Sequence, residues 1–81
     1  MVEIRFSKEF TFIFSKLDSF MKQKLIKQVK KISEKPKVGK PMRNVRKGTR
    51  ELYLKPFRLS YEYIEKIDCI YILDLYHKRK Q

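Results

Sequence analysis

The sequence predicts an α+β domain: an N-terminal strand, a two-helix hairpin, then a three-stranded antiparallel meander, with the helices packed on one sheet face. Three observations carry this. Apolar residues recur at helical spacing from Phe10 to Ile32. Two-residue alternation marks the stretches after Arg50 and after Cys69. A Pro- and Gly-punctuated segment separates the two regimes. At 81 residues the chain reads as one domain, 1–81, with no internal repeat.

The elements follow in order. Val2-Glu3-Ile4-Arg5-Phe6 alternates apolar and charged residues, as a half-buried strand does. Ser7 then offers a side-chain oxygen to cap a helix on which Phe10, Phe14 and Leu17 recur, with Ile13 beside them. Asp18 or Ser19 caps a second helix, whose stripe is Met21, Leu25, Val29 and Ile32. Lysines 22, 24, 27, 30 and 31 cover the rest of it, as a solvated exterior or as a nucleic-acid contact. Pro36 forbids its continuation. Residues 35–49 form a basic connector without an acidic residue. It is either an ordinary charged loop or a flexible phosphate-gripping arm, with Arg43, Arg46 and Lys47 as RNA contacts.

In the meander, a turn near Glu65-Lys66 pairs Phe57 with Leu75, Leu59 with Leu73, Tyr61 with Tyr71 and Tyr63 with Cys69 on the core side. Across Lys55-Pro56, Leu54 meets Phe57 and Leu52 meets Leu59. The other face then carries Glu51, Tyr53, Arg58, Ser60, Glu62, Asp74 and Tyr76, with Ile70 and Ile72 at the far end. Arg58 is expected between Tyr53 and Asp74, in a cationic patch completed by His77, Lys78 and Arg79. A sheet can hold such charge rigidly against a phosphate.

The formal charge of +12 points to an anionic partner: nucleic acid first, then a membrane surface or an acidic protein. Six Phe and five Tyr supply large buried area to a small core. Cys69 stands alone in an apolar strand and reads as a buried small hydrophobe, so no disulfide and no metal pattern is expected. With no long apolar span and no signal-like start, a reducing cytoplasm is the expected compartment. Nine acidic residues without a compact cluster speak against a two-metal nuclease.

Four segments in order resemble the RelE/ParE superfamily of type II toxins: Ile4-Arg5-Phe6-Ser7, Gly39-Lys40-Pro41-Met42, Phe57-Arg58-Leu59-Ser60-Tyr61 and Tyr76-His77-Lys78-Arg79. The resemblance spans nearly the whole chain. For a RelE-like member it implies a ribosome-dependent, metal-free endoribonuclease that cuts mRNA in the ribosomal A site. It also implies an acidic RelB-like antitoxin, in a toxin–antitoxin hetero-oligomer, and no cofactor. Arg58 is similar to the arginine that stabilises the scissile phosphate, Arg79 to the arginine that ends the last strand, and His77 to a histidine serving as acid. Glu51 and Tyr53 stand where many members carry lysines, and Met42 where others carry a glutamate.

Metal-free RNA cleavage needs a base for the 2′-hydroxyl, cations for the developing charge and an acid for the leaving oxygen. The expected charge carriers are Arg58 and Arg79, assisted by Arg50, Lys47, Lys55 and Lys78. His77 is the candidate acid, Glu51 or Tyr53 the candidate for the 2′ proton, and Tyr76 lies beside them. An arginine serves as a clamp rather than a base. Two other readings stand: a ParE-like toxin that inhibits DNA gyrase without nuclease chemistry, and a non-catalytic basic RNA- or ribosome-binding module with steep salt dependence.

Overall fold

The computed structural model describes residues 2–43 and 47–77. Its order is β1 (Glu3–Phe6), α1 (Lys8–Lys16), α2 (Ser19–Glu34), β2 (Lys40–Pro41), β3 (Arg50–Leu54), β4 (Phe57–Ile64), a 3-10 turn (Glu65–Ile67) and β5 (Cys69–His77). The strands form one sheet in the order β1-β5-β4-β3-β2. The two helices and the antiparallel order of the meander strands are as the sequence predicts.

Both helices start on capping side chains. Ser7 Oγ accepts from Phe10 N–H at 3.0 Å, and Asp18 Oδ1 accepts from Met21 N–H at 2.8 Å. Their apolar stripes supply Phe10, Leu25 and Ile32 to a core shared with Leu54, Leu59, Tyr61, Ile70, Ile72 and Leu75 of the sheet. The helices therefore cover one face only.

The sheet differs from the expected meander in three respects. First, it is mixed: β1 runs parallel to β5, with Ile4 opposite Ile70. Ser7 fixes this arrangement, its N–H donating to Ile72 O at 2.9 Å and its hydroxyl to Leu73 O at 2.6 Å. The helical hairpin thus begins directly over β5.

Second, the β4–β5 register shifts. The 3-10 turn ends at Asp68 in the left-handed region (φ 49°), which sets Cys69 opposite Ile64 rather than Tyr63. Ile70 and Ile72 consequently pair with Tyr63 and Tyr61 and are fully buried, while Tyr71 faces outward. Leu73 is then an extra residue, a bulge between the Tyr61–Ile72 and Ser60–Asp74 pairs. It restores Leu75, opposite Leu59, to the core side. Cys69 is buried, as expected.

Third, part of the connector is neither a free loop nor a flexible arm. Lys40 and Pro41 pair with Glu51 and Arg50 as β2, and Met42 N–H donates to Thr49 O at 3.0 Å. Tyr61 reaches across to hold this strand in place. Its hydroxyl donates to Pro36 O and accepts from Gly39 N–H, both at 2.8 Å. Arg50 Nη1 donates to Gly39 O at 2.8 Å and Lys37 O at 3.1 Å. Gly39 is required by this close approach: a Cβ there would lie 2.7 Å from Tyr61 Cε1 and Oη.

Candidate functional site

The helix-free face of the sheet carries the candidate site. Strand alternation and the observed pairing place Glu51, Tyr53, Arg58, Ser60, Glu62, Tyr71, Asp74 and Tyr76 on it. Arg58 lies on β4 between Tyr53 of β3 and Tyr76 of β5, not between Tyr53 and Asp74 as expected. Asp74 instead pairs with Ser60, and its carboxylate accepts from Leu75 N–H at 2.8 Å, beside the bulge. The register shift that buries the isoleucines thus also changes the neighbour of Arg58.

The carboxylate that meets Arg58 is Glu51. Arg58 Nη1 lies 3.3 Å from Glu51 Oε1, and the Tyr76 hydroxyl donates to Glu51 Oε2. One carboxylate thereby joins side chains from β3, β4 and β5. The Glu51 side chain is only 3% exposed, against 29% for Arg58. Buried charge is stable only when paired and hydrogen-bonded, and Glu51 has both kinds of partner. On its other flank, β2 sets Lys40 directly opposite Glu51. Lys40, Met42, Glu51, Leu52, Tyr53 and Arg58 line a cavity of about 210 Å3.

This face is less cationic than the sequence led us to expect. Among the described residues, Glu51, Glu62 and Asp74 share it with Arg58 and Lys40, and the ion-paired Arg5 and Glu3 of β1 lie at its far edge. Tyr53 is exposed next to Arg58. Arg43, Lys47 and Lys55 are exposed in turns and connectors. Arg46, Lys78 and Arg79 lie outside the described residues.

Two expected site residues point elsewhere. Arg50 pairs with Tyr61 on the core side, where its guanidinium holds the connector. His77 pairs with Phe57, its ring edge-on at 5.9 Å, so it is on the opposite face from Arg58 and Tyr76. Its sequence position next to Tyr76 suggests proximity, but alternation separates neighbouring side chains. Lys40 is the residue that the sequence reading did not select. Its signal was there, in the Gly39-Lys40-Pro41-Met42 motif, but only a strand at 40–41 sets it against Glu51.

On the core side, burial raises the pKa of Tyr61 above its ordinary value. The Gly39 N–H bond and the Arg50 charge oppose the shift. The Tyr61 phenol is therefore a neutral structural group at physiological pH.

A helical hairpin over one face of a mixed five-stranded sheet is a fold shared with solved toxin–antitoxin proteins. A chain of the E. coli RelBE toxin–antitoxin complex superposes with a TM-score of 0.82 at 16% identity, covering 95% of this chain and 96% of that one. RelBE2 of Mycobacterium tuberculosis gives 0.85 at 24% identity, covering 95% and 98%. The YoeB/ParE toxin of Agrobacterium tumefaciens gives 0.83 at 11%, covering 94% and 98%. No functionally curated protein matches the sequence. Residues 4–81 match the model of the ParE toxin of the type II toxin–antitoxin system parDE, and the chain belongs to that toxin family. It is accordingly a type II toxin of the RelE/ParE superfamily.

Proposed function

We propose that this toxin is a ribosome-dependent endoribonuclease of the RelE type, acting on mRNA in the A site. The observation that supports this best is the placement of Arg58. Its guanidinium stands on the rigid, helix-free face, in the wall of the cavity that also holds Lys40. When a 2′-oxygen attacks the adjacent phosphorus, negative charge accumulates on the phosphoryl oxygens. Preorganised cations aimed there stabilise that charge without reorganising. In this reading Arg58 and Lys40 supply such charge, and Arg79, outside the described residues, is assigned as the third on the family resemblance. Tyr53, exposed next to Arg58, is the group within solvent reach for the 2′ proton. His77, on the Phe57 side, is not assigned the leaving-group proton.

The partner in this reading is an acidic antitoxin. A net charge of +12 favours it electrostatically. So does an apolar groove lined by Phe6, Phe10, Phe14, Leu25, Ile26 and Val29, which suits an amphipathic segment that folds on binding.

The second reading, gyrase inhibition without nuclease activity, is favoured by the family match and by the position of His77. One pair of assays separates the two. Primer extension on translated mRNA should show new 5′ ends when the protein is added, while gyrase supercoiling continues. Blocked supercoiling with intact message would reverse the order.

A further inference from the structure

We infer that Glu51 is the positioning residue of the open face: it orients Arg58 toward an incoming phosphodiester and does not itself take the 2′ proton. The inference rests on the nuclease reading for its role, but the geometry it uses does not.

Three observations lead to it. The Glu51 side chain is 3% exposed, so although it lines the cavity it presents little surface to a ribose hydroxyl. Its two oxygens are already engaged, Oε1 by Arg58 and Oε2 by the Tyr76 hydroxyl. It is also the pivot of a row that crosses the sheet, with Lys40 opposite it on β2 and Arg58 diagonal to it on β4. A general base must reach the proton it abstracts, whereas an orienting carboxylate must be buried, fixed and in contact with the cation. Glu51 meets the second description.

The arrangement has a calculable electrostatic consequence. Glu51 neutralises part of the charge that Arg58 would otherwise offer, so it weakens phosphate binding in the ground state. It also fixes the guanidinium plane, and a fixed plane matters most in the transition state. Removing the charge should therefore tighten binding and slow the chemistry. A merely structural residue would not produce that split, because loss of folded protein lowers both.

The test uses Glu51→Gln, Arg58→Ala and the double variant. The first readout is affinity for a short 2′-O-methyl RNA, which binds but cannot be cleaved. Glu51→Gln should bind severalfold tighter, because the face then carries one negative charge fewer. That gain should shrink when Arg58 is alanine, because no guanidinium then draws the phosphate close to Glu51. The second readout is the single-turnover cleavage rate on saturated ribosomes. Glu51→Gln should lose roughly 100-fold in rate with no rise in half-saturating toxin.

Tyr76→Phe, which leaves the Arg58 contact and removes one restraint on Glu51, should fall between wild type and Glu51→Gln. It serves as the test variant if the glutamine fails to fold. A full cleavage rate in Glu51→Gln would overturn the inference, and so would the same affinity gain in the alanine background. If the wild-type protein cuts no message, the nuclease reading falls on that result alone, while the affinity cycle still judges the Glu51–Arg58 pairing.

Discussion

Tyr61 shows how one side chain can serve two layers. Its ring is fully buried in the core, and its hydroxyl holds Pro36 and Gly39. Tyr61→Phe leaves a buried N–H and a carbonyl without their partner, and should cost about 1–3 kcal/mol in urea denaturation. The pH dependence is a further signature. With its folded pKa raised, the phenol binds its proton more tightly in the folded chain than in the unfolded one. This stabilisation is fully present below the ordinary tyrosine value of about 10 and is lost as pH rises through the folded value. Stability of the wild type should therefore drop more steeply than that of Tyr61→Phe above about pH 10. At Gly39, an added methyl meets Tyr61 at 2.7 Å. Gly39→Ala should destabilise by about 1–3 kcal/mol, through displacement of the ring. Alternation identified Tyr61 as a core residue; it held no information about where the hydroxyl would go.

At the scale of elements, Ser7 links helix, edge strand and bulge. It caps α1 and donates to the carbonyl of Leu73, the extra residue of β5. Ser7→Ala should lower stability by about 1–2 kcal/mol, read as a reduced urea midpoint at constant slope. The legible and illegible parts of the fold divide here. The helices were legible because caps and apolar stripes are local. The face of Arg58 was legible because it lies ahead of the shift: Glu51, Tyr53, Ser60, Glu62, Asp74 and Tyr76 all share it, as alternation implies. The neighbours of Arg58 were not, because alternation assumes an unbroken period. A left-handed Asp68 and one extra leucine each move the pairing by a residue, and together they put Ile70 and Ile72 inside, Tyr71 outside and Tyr76 beside Arg58. Strand β2 escaped notice for a different reason. It contains two residues, one of them proline, and is held by Tyr61 and Arg50 from outside its own sequence.

For the whole molecule, the balance is between a strongly basic chain and a mixed-charge open face. The net charge is +12, which in the proposed reading serves long-range attraction to RNA, while Arg58, Lys40 and Glu51 are its proposed local site. Affinity for single-stranded RNA should therefore fall steeply with salt, and Arg58→Ala should change that slope by less than one phosphate contact, about 0.7 in log–log units. Expression alone should arrest growth, and co-expression of an acidic partner should restore it.

The central claim is that Arg58, held on the open face, stabilises the phosphate of a message as it is cut. The most direct measurement follows ribosome-bound mRNA by primer extension with wild type and Arg58→Ala at equal folded concentration. The account predicts strong cleavage by the wild type and a loss of about 100- to 1,000-fold in the variant. Cleavage by Arg58→Ala at the wild-type rate would contradict it.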